Sequence, residues 1–282
     1  MSPERVAITG ATGYLGSLFA SAFSDAGYDV VALTRSQRTS QTMTWRRFEL
    51  GETPDAALFE GVDVLVHSAW DLGNSSASDA WQRNVVGSRR LINAAHDAGV
   101  KKVIFISSMS AYTGTTQTYG LMKLAVERTV LDLHDVVVRP GLVYGDDAGG
   151  MAGTLRKIAG LPVWPRFGHA KLFLAHADDV ANALVRITDD YGRFAGHVIG
   201  LANPERVDLS TILTSVSSDG RTKTSLPVPS TLVMTGLRVV EKAHVPLPFR
   251  SDSLLGLIKA TDVLPGQDDL SAAGISFRGL PR

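Results

Sequence analysis

The chain has 282 residues, 44% of them apolar and 20% charged, and its 28 basic residues balance 28 acidic ones. That length can bury a full core, while the even charge offers no general field for nucleic acid or an anionic membrane. Cysteine is absent, which excludes disulfides, thiol nucleophiles and thiolate metal sites, and no histidine pair has ligand spacing, so no metal is expected.

The first element is the apolar run "RVAITG" (5–10), followed by helical spacing through Leu15, Leu18, Phe19 and Phe23 and closed by Gly27. Residues 6–24 carry no charge, yet Gly10, Gly13 and Gly16 interrupt them. A strand, a glycine turn and a helix therefore fit better than a signal peptide or a membrane span, and a soluble, cytoplasmic protein is expected. Further strands are expected at "DVVALTR" (29–35), "VDVLVHSA" (62–69), "KKVIFISS" (101–108) and "HDVVVRPG" (134–141), with a shorter one in "MTWRRFEL" (43–50). "SRRLINAAHDAGV" (88–100) has helical period and ends on Gly99. Strands apolar on both faces, alternating with helices, predict an α/β protein with a doubly wound parallel sheet. Beyond about residue 145 the pattern loosens, and only "GHVIGLA" (196–202) reads clearly as a strand. The expected division is a sheet domain over 1–148 and 172–203, with a smaller C-terminal substrate lobe over 149–171 and 204–282.

"TGATGYLG" (9–16) sets three glycines at the first strand–helix junction. One permits a tight turn, another lets backbone approach a pyrophosphate, and the third lets helix and strand pack closely. The anion then sits over the amides of the helix N-terminus. At the end of the second strand an acidic residue would hold the adenosine ribose hydroxyls; this chain has Thr34, Arg35 and Ser36, with Arg38 close by. Arg35 suits a 2′-phosphate through charge-assisted hydrogen bonds, which favours NADP, with NAD as the alternative. "YGLMK" (119–123) puts Tyr119 and Lys123 on one helical face. That spacing alone also describes a packed phenol beside a solvated amine.

Seven segments occur in one order: "TGATGYLG" (9–16), "HSAW" (67–70), "NVVGS" (84–88), "SSMSAY" (107–112), "YGLMK" (119–123), "RPGLVYG" (139–145) and "HADDVANAL" (176–184). Together the chain over about 5–185 resembles the extended short-chain dehydrogenase/reductase superfamily, the NAD-dependent epimerase/dehydratase family, built on a Rossmann sheet. The resemblance implies that Tyr119 is the general acid or base at a carbonyl oxygen. Lys123 would stabilise its phenolate, lowering a pKa that is ordinarily near 10, and would bind the nicotinamide ribose. Ser108 would hydrogen-bond the substrate oxygen, with Ser107 as rival. The cofactor would be held by Gly10, Thr12, Gly13, Tyr14, Leu15 and Gly16, by Arg35, by Glu49 and Leu50 near the adenine, by Ala69 and Asn84, and by Pro140 and Val143 near the nicotinamide. Asp178 and Asp179 are expected to organise a helix start.

The chain departs from the family pattern in three places. Trp70 stands where a second small residue is usual, so it either lines the pocket or packs under a loop. The interval from Ser108 to Tyr119 is short. Met109-Ser110 replaces the acidic pair of the 4,6-dehydratases, which argues against dehydration. In the lobe, Arg156, Arg166, Lys157 and Lys171 are candidates for a substrate diphosphate or ordinary surface charges. The expected activity is NADP-dependent reduction of a keto group on a nucleotide-linked sugar. The alternatives are an epimerase with retained NAD, a reductase of a non-sugar ketone, and a non-catalytic dinucleotide sensor or structural subunit. Residues 121–133 have apolar side chains to spare for a homodimer, though these also suit the sheet.

Overall fold

The structure is a computed structural model that describes residues 3–36, 43–73, 76–145, 150–166, 170–217, 221–227 and 261–280. Strand β1 (Arg5–Thr9) leads into α1 (Tyr14–Asp25), β2 (Asp29–Thr34) and β3 (Thr44–Arg47). A 3₁₀ turn (Ala56–Phe59) precedes β4 (Val64–His67). The next helical stretch has three parts: α2 (Ala77–Trp81), a π turn (Gln82–Val86) and α3 (Gly87–Asp97). Then come β5 (Lys102–Ile106), α4 (Thr118–Asp132) and β6 (Val136–Pro140).

Seven strands form one sheet in the order β10-β6-β5-β4-β1-β2-β3, where β10 is Val198–Leu201, and every pairing in it is parallel. Alternate residues of each strand enter opposite cores. Val6, Ile8, Val64, Val66, Ile104 and Val138 meet Phe19 and Phe23 of α1, together with α6 (Ala177–Asp189). Ala7, Leu33, Leu65, Phe105 and Val137 meet Leu91, Ile92, Met122 and Val126 of α3 and α4. This two-sided burial is why the strands read as unbroken apolar runs. The strand order reverses between β1 and β4, so a crevice opens beyond their C-terminal ends, at Gly10 and Ser68.

Chain beyond β6 builds a smaller sheet. Strand β7 (Leu142–Tyr144) pairs in parallel with β9 (Lys171–His176), which pairs antiparallel with β11 (Arg206–Asp208). Helix α5 (Gly150–Ala159) and α8 (Leu209–Val216) cover it, and β8 (Trp164–Arg166) pairs with β12 (Ser225–Pro227) alongside. Strand β9 joins the two regions: Phe173 and Ala175 enter the large core, Leu172 and Leu174 the small one. The chain thus passes from the small core to the large one within β9, next to the boundary expected at 172. Helix α7 (Tyr191–Phe194) follows α6. The C-terminal stretch also returns: the Gly200 amide donates to Pro265 O, and Leu270 of α9 (Gln267–Ala272) joins Ile275 and Phe277 in the large core. This segment falls within the lobe expected over 204–282. No helix among the described residues is long and apolar enough to cross a membrane.

Candidate active site

The glycine turn is built by close approach. Gly10 has φ +68°, and a Cβ there would lie 3.0 Å from the Ala69 Cα; a Cβ on Gly16 would collide with the Gly10 carbonyl. Any larger residue at either place would push α1 away from the β4 exit. Helix α1 starts at Gly13 with no side-chain cap, so its first turn offers backbone donors and a positive dipole end to an anion. Thr12 and Gly13 are exposed, Tyr14 and Leu15 half-buried. A pyrophosphate-bearing dinucleotide fits this cradle: backbone can approach it closely, and nothing anionic occupies the first turn.

A buried polar chain holds the two strand ends together. Thr9 Oγ1 accepts from the Ser68 amide at 3.0 Å and the Ala69 amide at 2.9 Å, and lies 2.8 Å from His67 Nδ1. Both lone pairs are thereby used, so its proton goes to Nδ1 and His67 carries its own proton on Nε2, which donates to Ser88 Oγ at 2.7 Å. Complete burial, and secondarily the Lys123 charge, hold His67 neutral by lowering its pKa to about 3. In the sequence His67 carries no sign of this role, because a single histidine at a strand end gives no signal for a tautomer-locked network.

Asn84, in the π turn, is fully buried. Its Oδ1 accepts from the Asp71 amide at 2.7 Å and its Nδ2 donates to Asp71 O at 2.9 Å, so it clamps the loop that carries Ala69 and Trp70. Asp71 also pairs with Arg83 at 3.0 Å, and its carboxyl is held below the usual range chiefly by the Gly73 amide, with Arg83 and Arg35 contributing. Arg35 is thus exposed at the end of β2, close enough to sense the far lip of the crevice. Leu50 packs on the second core, and Glu49 lies 3.6 Å from Arg47. Pro140 ends β6, and Val143 of β7 packs on the first core. Arg38 lies outside the described residues.

Ser108, Tyr119 and Lys123 converge. A Cβ on Gly120 would strike the Ser110 carbonyl, and the lack of one lets the short 108–115 loop lie against the start of α4, bringing Ser108 to Tyr119. The Ser108 hydroxyl hydrogen-bonds the phenol, and the Ser110 amide donates back to Ser108 Oγ at 3.1 Å. Ser107, the rival, is turned away: its hydroxyl donates to Glu127 Oε1 at 2.5 Å. Glu127 is in turn held by two arms of Arg139, at 2.9 and 2.6 Å. Burial pushes the Tyr119 phenol up to about 12, which the Ser108 hydrogen bond only partly opposes. The lysine was expected to pull this phenol down. Here its Nζ donates to Ile106 O at 2.7 Å and lies 5.8 Å from the Tyr119 ring centre, and desolvation of the phenol prevails. Burial likewise takes the Lys123 ammonium well below its ordinary range, with Glu127 opposing. Trp70 does not pack away under a loop; it faces both residues, 5.9 Å from the Tyr119 ring and 3.7 Å from Lys123 Nζ.

The lobe candidates are more dispersed. Arg156 Nη2 donates to Gly145 O at 2.8 Å, and Lys171 lies 3.9 Å from Asp208. Lys157 is exposed, and the Arg166 side chain lies outside the described residues. Asp178 and Asp179 occupy the first turn of α6, whose cap is His176. Asp179 also accepts from the Arg278 guanidinium at 2.6 and 2.9 Å, tying the C-terminal segment to the helix. Among the described residues no three His, Cys, Asp or Glu side chains form a metal-binding group.

Comparison with known proteins bears on the family and the fold. A ceramide reductase of Caulobacter vibrioides is 31% identical over 191 residues, 64% of this chain and 59% of its own. A dTDP-4-dehydro-6-deoxy-D-allose reductase of Streptomyces sp is 25% identical over 52% of this chain and 58% of its own. The chain thus spans less than two thirds of the length of these curated relatives. Among solved structures, gox2253 superposes with a TM-score of 0.76 at 21% identity, over 98% of this chain and 94% of that one. MoeE5 in complex with UDP-glucuronic acid and NAD gives 0.71 at 20%, with the same coverage. Both show a shared fold. The family model for the NAD dependent epimerase/dehydratase family matches residues 6–200. The chain therefore belongs to the NAD dependent epimerase/dehydratase family.

Proposed function

We propose that the protein is an NADP-dependent ketoreductase in which Tyr119 is the general acid. The observation that carries this is the convergence of a protonated Tyr119 phenol with Ser108 and Lys123 at the mouth of the β1/β4 crevice. When bound, the reduced nicotinamide supplies a hydride. The chain's own task is then to hold the carbonyl oxygen and protonate it. Ser108 and Tyr119 both offer O–H groups to that oxygen, and the phenol, neutral near pH 7, gives up its proton as charge builds there. Lys123 stabilises the phenolate that remains. Gly10, Thr12, Gly13, Tyr14, Leu15 and Gly16 would hold the pyrophosphate, Glu49 and Leu50 the adenine, Ala69 the groove between them with buried Asn84 clamping its loop, and Pro140 and Val143 the nicotinamide side. Arg35, exposed at the end of β2 where an acidic residue would exclude a 2′-phosphate, supports NADP over NAD.

A nucleotide-linked sugar is the first substrate class in this reading, with Arg156 and Arg166 on its diphosphate and Trp70 beside the reacting carbon. A non-sugar, more apolar ketone is the second. It is favoured by the engagement of Arg156 with Gly145 O and of Lys171 with Asp208, and by the Trp70 wall at the tyrosine. The ceramide reductase likeness supports it too. An epimerase with retained NAD is the remaining alternative. A homodimer through α4 is supported by exposed Leu121 on that helix and Leu133 at its end.

The test is titration of purified protein with NADPH and NADH separately, with bound nucleotide measured first, followed by turnover on keto sugar nucleotides and on long-chain ketones. Exchangeable NADPH and Tyr119-dependent turnover are expected. Tightly retained NAD would replace this reading with the epimerase.

A further inference from the structure

Trp70 lies three residues past the end of β4, where the Thr9–His67–Ser88 chain and the grip of Asn84 on Asp71 hold the backbone on both sides of it. The indole meets the Tyr119 ring nearly edge-on, with ring centres 5.9 Å apart and planes at 80°. The Lys123 ammonium sits over the indole, 3.7 Å from its centre. Lys123 is only 2% exposed, and the hydrogen-bond acceptor its Nζ has among the described residues is Ile106 O. A cation with so little water needs a further source of negative potential. Glu127, one helical turn along α4, favours the Lys123 charge, but its carboxylate is hydrogen-bonded to Ser107 and to both arms of Arg139 and is not bonded to Nζ. From the sheet side, His67 is neutral and the Phe105 ring lies farther away, 4.7 Å from Nζ. The negative face of an indole is the strongest aromatic partner for an ammonium, and most effective when water is excluded.

We propose that Trp70 is a positioning residue whose indole face holds the Lys123 ammonium charged and aligned beside Tyr119. The proposal rests on the reading of Tyr119 as proton donor. The indole Nε1–H is buried with no acceptor among the described residues, so the ring face, rather than the N–H, makes the contact. Trp70→Phe therefore keeps a weaker version of the interaction, and Trp70→Leu keeps bulk without it.

The experiment is NMR of protein labelled with ε-¹³C lysine, with Lys123→Met used for assignment and Trp70→Phe and Trp70→Leu compared with the parent, alongside steady-state kinetics. In the parent, the Lys123 resonance is shifted by the indole ring current away from the exposed lysines and titrates below them. In Trp70→Leu that displacement disappears and the titration midpoint falls by about one unit. On the kinetic side kcat falls roughly tenfold with KM little changed, and Trp70→Phe loses less than half of each effect, in keeping with a lysine that acts in the proton-transfer step. A parent Lys123 signal among the exposed lysines would overturn the proposal, as would a midpoint unmoved or raised in Trp70→Leu, or a Trp70→Phe variant as impaired as Trp70→Leu. A displaced Lys123 signal in a protein without Tyr119-dependent turnover would refute the proton-donor reading while leaving the Trp70–Lys123 contact established.

Discussion

The crevice at the ends of β1 and β4 and the small sheet beside it differ in how their polar groups are spent. In the crevice, almost every buried polar side chain is committed to another part of the site: Thr9 to His67 and two amides, Asn84 to Asp71, Ser107 to Glu127, Glu127 to Arg139. In the lobe the small core of Leu155, Ile158, Trp164, Leu172 and Leu213 is apolar, and its charged neighbours Arg156, Lys157 and Lys171 are surface groups. Committed networks make a rigid reaction frame because each member, once unpaired, costs a desolvated polar group. Surface charges can change identity at little cost, so in the proposed reading substrate choice falls to the lobe.

The sharpest break in that comparison is at the acid itself. Tyr119→Phe should lower kcat by about 10²–10⁴ with NADPH affinity retained, measured by NADPH oxidation and by fluorescence titration. Unchanged turnover would remove Tyr119 from the chemistry. Next is the frame beneath it: Glu127→Ala leaves the mostly covered Arg139 side chain unpaired, and should cost about 3 kcal/mol in urea unfolding. A loss within about 0.5 kcal/mol, the size of an ordinary surface substitution, would show that water replaces the carboxylate there. Arg35→Ala should weaken NADPH by about 1.5–3 kcal/mol, the range for a hydrogen bond to a charged group, and leave NADH unchanged. Equal weakening of both would assign Arg35 to the fold instead of the 2′-phosphate.

His67 connects the frame to pH. Its pKa is about 3 in the folded chain against an ordinary 6.5, so between those values the unfolded state binds the extra proton. The stabilisation is therefore complete above pH 6.5 and is lost as pH falls toward 3, with about 2 kcal/mol gone near pH 5. Stability measured at both pH values should show that loss, and His67→Gln should flatten the slope. The smallest effect belongs to the lobe. Arg156→Ala should change stability by less than about 0.5 kcal/mol. It should raise KM for a sugar nucleotide while leaving KM for an apolar ketone unchanged, which separates the two substrate classes.

Legibility follows the same division. The parallel sheet could be read because strands buried on both faces must be apolar throughout, as Val64 to Val66 and Val136 to Val138 are. The glycine turn could be read because Gly10 and Gly16 occupy places where a Cβ meets backbone. Strand β9 could not be assigned to a sheet, because Leu172, Phe173, Leu174 and Ala175 are buried in two cores at once and a continuous apolar run does not say which partner pairs with it. The placement of Ile275 and Phe277 against the large core was equally hidden, since a short tail has no period of its own.

What the sequence determined by itself is the order of strands and helices as far as about residue 145, the cradle at residues 9–16, and the spacing that puts Tyr119 and Lys123 on one face of a helix. These are local requirements of backbone geometry, and a local requirement selects residue types at known intervals. Only the tertiary structure decided that Ser108 rather than Ser107 meets the tyrosine, that His67 is a neutral link between Thr9 and Ser88, and that Trp70 lies against Lys123. Each of those depends on which side chain a distant element presents. Desolvation and pairing at that depth are properties of the assembled core, with no counterpart in the intervals along the chain.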